Sequence, residues 1–178
     1  MLFGIEKNFI KNDFFNEIFS SIKLNKDDVI IDGKVIKELR ETCWVSDFDY
    51  LYRYGGKLMY PQKLSNILKK IQLIIELKYG KYFDSILINY YKSGQIGMRY
   101  HSDSTYDEWE EESVIVSFGS SRIIKFRDIE NIDDKTEFQM ESGDLIFMKS
   151  GCQMKYQHCV CKNKKDEDRI SLVFKKHV

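Results

Sequence analysis

The sequence predicts a mainly β (α+β) fold, in which short strands form a sandwich or barrel and N-terminal helices pack on one sheet. From residue 85 onward, short runs of alternating apolar and polar residues are separated by glycines and polar turns, which is the pattern of an antiparallel sandwich or barrel. Before residue 80, two stretches repeat apolar residues every three or four positions, as amphipathic helices do. The length of 178 residues suits one domain with a substantial core.

Composition and charge narrow the classes of function. Lys and Arg total 28, as do Asp and Glu, so the whole-protein field does not attract phosphate and any nucleic-acid binding must come from a local patch. The first ten residues lack the pattern of a signal peptide, and no window approaches the ~20 apolar residues of a membrane span. We therefore expect a soluble, intracellular monomer, in cytoplasm or nucleus, that does not bind membranes.

The part of the chain before the strands is predicted to contain the helices. Residues 1 to 41 form an extension, with a short amphipathic helix over residues 9 to 22 behind Asn12 or Asp13 as its cap, and a strand that enters a turn at residues 30 to 34. Pro61 introduces a second helix over residues 62 to 79, which Gly80 ends. Its wide apolar stripe indicates that it supports a sheet.

Aromatic residues crowd the segment from residue 42 to 60. Such rings are common in ordinary strands, which is one interpretation of the segment. However, Tyr50, Tyr52 and Tyr54 alternate and so fall on one face, and a row of rings beside a pocket can grip an unpaired base. Gly55 and Gly56 would then form the turn of this segment.

The remaining alternating runs are predicted as strands of the core. They cover residues 85–91, 114–118, 123–126, 137–140, 145–148, 154–158 and 169–174. The acidic residues 107–112 and the lysine-rich residues 162–165 are expected to be solvated loops, although the second could touch a phosphate backbone.

A candidate metal site lies in this second half of the chain. His101 and Asp103 are two residues apart on an extended segment, so their side chains project to the same face, and His158 from a distant strand can complete a three-point site. Two imidazoles and a carboxylate are the ligands of non-haem Fe(II) oxygenases, which keep positions open for a co-substrate and O2. A different interpretation makes both histidines core residues. The third histidine, His177, is expected to be a frayed end.

The four cysteines show no disulfide framework, which favours reduced thiols in a reducing compartment. A zinc site of His158 with Cys152, Cys159 and Cys161 is conceivable, but the spacing of the last two is too short for a zinc knuckle. Near the C-terminus, Arg169 opens an alternating run that places Ser171 on its own side of the sheet, where an arginine can pin a dicarboxylate.

Several motifs together resemble the AlkB-type Fe(II)/2-oxoglutarate dioxygenases. The resemblance covers about residues 42 to 176 and rests on residues 89–91, 96–97, 101–103, 116–119, 142–145, 158 and 169–175, with Arg122 and Phe126. It implies a double-stranded β-helix, or jelly roll, with its core at residues 85–176 and a base-recognition lid at residues 42–60. It also implies Fe(II), 2-oxoglutarate and O2 as cofactor and co-substrates.

The family's site residues carry over to named positions of this sequence. The resemblance implies that His101, Asp103 and His158 bind iron. For 2-oxoglutarate it implies contacts from Asn89, Tyr91 and Arg169, together with Ser171 and Lys175. For the base it implies Tyr52 and Tyr54, more loosely Trp44, and Thr105. Lys175 stands where the family has a second arginine, so the charge is kept but the two-pronged geometry is lost. Ser104 and Thr105 stand where repair members have an acidic residue.

The implied activity is oxidative demethylation of alkylated nucleobases in DNA or RNA, with nucleic acid as the partner. Single strands are the expected substrate, because the turn at Ile31, Asp32 and Gly33 has no aromatic residue that could wedge open a duplex. Two alternatives remain: an oxygenase of the same superfamily acting on protein side chains, and a non-enzymatic jelly-roll binding module.

Overall fold

The computed structural model describes residues 1–178, except for the side chain of Ile31. The strands are β1 (Phe3–Glu6), β2 (Asp28–Ile31), β3 (Lys34–Lys37), β4 (Glu41–Ser46), β5 (Tyr52–Tyr54), β6 (Lys57–Met59), β7 (Ser85–Tyr91), β8 (Met98–His101), β9 (Ser113–Gly119), β10 (Arg122–Asp128), β11 (Lys135–Met140), β12 (Leu145–Met148), β13 (Tyr156–Val160) and β14 (Arg169–Lys175). The helices are α1 (Phe15–Ser21), α2 (Asn66–Tyr79) and α3 (Cys152–Lys155).

Two antiparallel sheets face each other and form the predicted jelly roll. The larger sheet has the strand order β1-β12-β9-β14-β7-β4, and the smaller has the order β11-β10-β13-β8. One apolar cluster fills the space between them and includes Leu87 and Val173 from the large sheet and Phe126 from the small one. A second cluster joins the other face of the large sheet to α1 and α2. The large sheet is therefore covered on both faces.

Coverage on both faces explains the sequence of the central strands. Every residue of β7 and β14 is buried, so their outward residues, such as Ile88, Leu172 and Phe174, pack against the helices. Their inward residues include Asn89, Tyr91, Arg169, Ser171 and Lys175, which are polar despite their burial. Buried polar side chains of this kind need partners, and their concentration on one face points to a site.

Both predicted helices exist, but they begin later than expected. The peptide N–H of Gln62 donates to Trp44 O, and Gln62 O accepts from Ser46, so this stretch pairs with β4 before α2 begins. At the other end, Gly80 adopts φ +65° and its N–H donates to Glu76 O, as predicted. The first helix was predicted to include Ile10, but the N–H of Ile10 donates to Gly143 O. This bond holds the residues before α1 in a loop.

Two further expectations were wrong in detail, and one strand was missed. Residues 154 and 155 belong to α3 rather than to a strand, because the chain makes a helical turn after Gly151, whose φ is +83°. β1, which lies at the edge of the large sheet, was not predicted. His177 is not frayed: its ring stacks on Tyr50 at 4.0 Å between centroids, and its N–H donates to Asp84.

The two predicted turns before α2 are confirmed. Asp32 and Gly33, at φ +50° and +74°, join β2 to β3, and Gly55 and Gly56, at +52° and +76°, join β5 to β6. Positive φ at both central residues is the turn that two-residue hairpins favour. The side chain of Ile31, part of the expected wedge position, lies outside the described residues. No described helix is long and apolar enough to cross a membrane.

Candidate metal and co-substrate site

The small sheet brings the three predicted metal ligands together. β13 pairs with β8 so that His158 lies directly opposite His101, and their ring centroids are 4.4 Å apart. Asp103 follows β8, where its N–H donates to Gln153 Oε1 over 2.9 Å. One ligand atom from each of His101, Asp103 and His158 lies within 4.8 Å of the others, and this is the one such group among the described residues. Cysteines take no part in it.

The protonation states suit metal binding. Burial, with His101 as a second cause, lowers the pKa of His158 to about 4, so its imidazole is neutral near pH 7. Burial alone would raise the pKa of Asp103, but Lys175, His158 and His101 outweigh it and hold this pKa well below its usual range. The Lys175 Nζ atom lies 3.6 Å from Asp103 Oδ2. A neutral imidazole and an ionised carboxylate are the forms that bind a cation.

A polar floor lies beside this group on the large sheet. Tyr91 is directly opposite Arg169, and Asn89 is directly opposite Ser171, in the pairing of β7 with β14. All four line the cavity between the sheets, which the three metal ligands also line. The cavity, counted to its open mouth, has an empty volume of about 600 Å³.

The hydrogen-bonding state of this floor fits a dicarboxylate. Arg169 is 1% exposed, and burial lowers its pKa to about 10. Its Nη2 donates to Ser117 Oγ, whereas Nε and Nη1 have no partner within the protein. Buried, unpaired N–H groups on a cation are costly unless an anion meets them. A carboxylate of 2-oxoglutarate is such an anion, and a guanidinium can bind it through two hydrogen bonds.

The predicted base-contacting residues separate into two groups. Tyr52 and Tyr54 line the cavity. Tyr52 is buried and stacks on Trp44 at 4.4 Å, while Tyr54 is half-buried. Trp44 is 1% exposed and does not line the cavity, and neither does Thr105, whose carbonyl accepts from Glu108 and Trp109.

Lys175 also lies outside the cavity lining, and its described contacts are with Asp103 and the ring of Tyr52. It is on the same face of β14 as Arg169 but at the opposite end of the strand. Its ammonium is therefore positioned toward a metal ligand.

One further charged residue of the cavity, Arg40, was not predicted from the sequence. Arg40 lines it and is 6% exposed, although the surrounding residues 37–41 are mostly charged and are typical of a solvated segment. Its guanidinium carbon lies 5.0 Å from the centroid of the Tyr54 ring, and Nη2 lies 3.4 Å from Glu38 Oε1. Periodicity could not reveal this residue, because Arg40 lies between two strands.

This chain is similar to known proteins in sequence and in fold. Protein R406 of Acanthamoeba polyphaga mimivirus is 33% identical over 93% of this chain and 88% of its own length. DNA oxidative demethylase ALKBH2 of Bos taurus is 26% identical over 81% of this chain, which spans 55% of that relative. The solved structure of OsALKBH1 superposes with a TM-score of 0.68 at 14% identity and covers 99% of this chain and 97% of that one.

The model of the 2OG-Fe(II) oxygenase superfamily matches residues 6–175, which include the smaller sheet, the larger sheet except most of β1, and every residue of the site described above. The family implies Fe(II), 2-oxoglutarate and O2, and the three converging ligands and the unpaired guanidinium fit the first two. The chain therefore belongs to the 2OG-Fe(II) oxygenase superfamily and is a dioxygenase.

Proposed function

We propose that this dioxygenase removes alkyl groups oxidatively from nucleobases in single-stranded DNA or RNA. The observation that carries the proposal is the composition of one cavity: the group His101, Asp103 and His158 shares it with the side chain of Tyr54. A flat ring beside the metal position can hold a flat substrate, and every base has a face that stacks.

Different residues of the cavity would bind the iron and the co-substrate. His101, Asp103 and His158 would hold the iron, and Arg169, with Asn89 and Tyr91, would hold 2-oxoglutarate. When bound, iron, 2-oxoglutarate and O2 supply the oxidant for the carbon attached to the base nitrogen. The protein contributes position: the dicarboxylate is fixed at the buried floor, and the base is confined between the metal ligands and the tyrosine rings.

Tyr54 is held in place by two cations before any substrate arrives. Arg40 and Lys57 lie 5.0 and 5.6 Å from the centroid of its ring, and Lys57 Nζ donates to Glu38 Oε2 over 2.7 Å. The ring therefore loses little freedom when a base stacks on it. Stacking on an aromatic side chain contributes about 1 to 3 kcal/mol per base.

The preference for single strands follows from the β2–β3 hairpin. Extruding a base from a duplex costs a few kcal/mol, which duplex enzymes offset with an inserted side chain and a basic footprint. Here Asp32 and Gly33 form the turn of the hairpin, and the chain has no net charge. An acidic side chain at this turn would repel the phosphates of a second strand.

The relatives support the reaction class. ALKBH2 of Bos taurus is named a DNA oxidative demethylase, but this chain spans only about half its length. The activity on nucleic acid is therefore transferred here as part of the proposal.

The test is an assay of the purified protein with Fe(II), 2-oxoglutarate and short single strands of DNA or RNA that carry one methylated base. Mass spectrometry of the strand and formaldehyde release should both report demethylation. His158→Ala should abolish it, and His177→Gln, which alters a histidine stacked on Tyr50 outside the cavity, should retain it. Turnover of 2-oxoglutarate that no methylated strand stimulates would contradict the proposal and favour a protein side chain as substrate.

A further inference from the structure

Arg40, which packs against the Tyr54 ring, is a buried cation whose guanidinium is only partly hydrogen-bonded. It lines the cavity, its side chain is 7% exposed, and its Nε has no hydrogen-bond partner within the protein. Nη1 donates to Met98 Sδ, and Nη2 lies 3.4 Å from Glu38 Oε1. An unpaired, buried guanidinium N–H beside a ligand cavity is a donor that awaits an acceptor.

The charges that line the cavity show which acceptor would fit. Besides the histidines, the charged residues of the described lining are Asp103, Arg169 and Arg40. Asp103 would bind the iron, and Arg169 would bind a carboxylate of the co-substrate. Arg40 is then the charged side chain left to face the base, while Glu38, its partner, does not line the cavity.

Methylated bases differ in what they offer such a cation. 3-Methyluracil and 3-methylthymine are neutral and carry carbonyl oxygens on both sides of the methylated nitrogen, so either oxygen can accept from a guanidinium. 1-Methyladenine and 3-methylcytosine are positively charged at neutral pH and present an exocyclic amine on one side of the methylated nitrogen; 1-methyladenine has no carbonyl oxygen, and 3-methylcytosine has one, on the other side. That amine cannot accept a hydrogen bond from Arg40, and the added positive charge would be repelled.

Once Asp103 binds a metal, the described lining contains no other carboxylate that could pair with a cationic base. Ser104 and Thr105, which follow Asp103, are uncharged and do not line the cavity. We propose that Arg40 determines specificity by hydrogen bonding to a carbonyl oxygen of the base, so that the cavity selects N3-alkylated uracil or thymine over the cationic bases. This inference rests on the proposed function, whose substrate class it specifies.

The experiment measures binding, so that recognition is read separately from chemistry. The protein is loaded with Ni(II), which does not support turnover, and 2-oxoglutarate. Fluorescence anisotropy then gives the affinity for one labelled single strand that carries 3-methylthymine, 3-methylcytosine or 1-methyladenine at its centre. We expect the 3-methylthymine strand to bind at least about tenfold more tightly, the effect of one hydrogen bond to a charged donor.

Variants assign this discrimination to Arg40. The informative change is Arg40→Gln, because Glu38 keeps its ion pair with Lys57 Nζ at 2.7 Å when the guanidinium is removed, so no buried carboxylate is left unpaired. Its discrimination should fall to about threefold or less. Arg53→Gln is the matched control, because Arg53 lies on the same hairpin as Tyr54 but is mostly solvent-exposed and pairs loosely with Glu108 at 3.8 Å. It should retain the full discrimination.

The outcomes separate this inference from the proposed function. Equal or tighter binding of a cationic base by the unmodified protein would overturn the role of Arg40, whether or not the variants fold. Retained discrimination in Arg40→Gln would overturn it too. Demethylation assays on the Fe(II) form are scored separately: selective binding without demethylation of any strand would contradict the proposed function alone, and efficient demethylation of cationic bases in preference to 3-methylthymine would contradict the inference alone.

Discussion

Replacing Arg169 with methionine should weaken 2-oxoglutarate binding and, at the same time, stabilise the ligand-free protein. Both effects have one origin. Arg169 is almost fully buried, two of its three guanidinium nitrogens have no hydrogen-bond partner among the described residues, and the third donates to Ser117 Oγ and Met140 Sδ. Methionine has a similar length and no charge, so it fills the space without leaving a donor unpaired.

The two magnitudes follow from the structure. A hydrogen bond to a charged group is worth about 1.5 to 3 kcal/mol, so the loss of even one bond to the dicarboxylate should weaken binding by about 10- to 150-fold. Burial lowers the pKa of Arg169 from 12.5 to about 10, which corresponds to about 3 kcal/mol of electrostatic cost while the guanidinium is charged. The variant should therefore gain up to about 3 kcal/mol in the free energy of unfolding when no co-substrate is present.

Isothermal titration of the Ni(II)-loaded protein with 2-oxoglutarate measures the first effect, and urea unfolding without co-substrate measures the second. Arg122→Met is the matched control, since Arg122 is also 1% exposed but does not line the cavity and donates to the carbonyls of Ser121 and Glu167. It should leave the affinity largely unchanged and lower stability. An unchanged affinity in Arg169→Met would show that the dicarboxylate binds elsewhere and would refute the reasoning.

Three further predictions concern the metal group and the substrate. Lys175→Met should raise the pKa of Asp103, so that the pH midpoint of Co(II) release, followed by absorbance, moves up by about 1 or more, while Lys175→Arg should restore it. In the metal-free protein, the pKa of His158 is lower in the folded state than in the unfolded state. The free energy of unfolding should therefore fall by up to about 3 kcal/mol as the pH decreases from 6.5 to 4. In His158→Gln, the free energy of unfolding measured with urea should depend less on pH over that range. A methylated single strand should be turned over faster than the same strand annealed to its complement, and equal or faster duplex turnover would contradict the inference from the hairpin.

Much of the fold could be predicted because its strands lie in regular, strongly patterned runs. β7 and β12 match their predicted bounds residue for residue, and β14 exceeds its own by Lys175. The helix starts were harder to predict because they depend on long-range backbone bonds. Gln62 lies in a stretch whose apolar spacing predicts a helix, but its N–H and C=O pair with β4 in the fold, and no local pattern reveals that.

Those site residues could be predicted that stand at characteristic spacings in the sequence. His101, Asp103 and His158 do converge, and Asn89, Tyr91, Arg169 and Ser171 do line one cavity with them. Their roles in binding iron and co-substrate stay predictions. Arg40 could not be found in this way, because a charged residue in a charged segment is expected to be solvent-exposed. It is buried because Tyr54 and Met98 pack around it in the fold.

The buried polar face of β14 links stability to catalysis. Ile170, Leu172 and Phe174 pack against the helices at no electrostatic cost, whereas Arg169 and Lys175 hold two cations on the opposite, equally buried face. The charge of Lys175 is balanced within the protein by Asp103, but Arg169 has no carboxylate among its described contacts. The co-substrate would therefore supply the missing charge, and its binding must stabilise the fold in proportion to its concentration over its Kd. Under this reasoning the thermal midpoint should rise with 2-oxoglutarate in the unmodified protein and stay nearly constant in Arg169→Met, since only the first contains the unpaired cation.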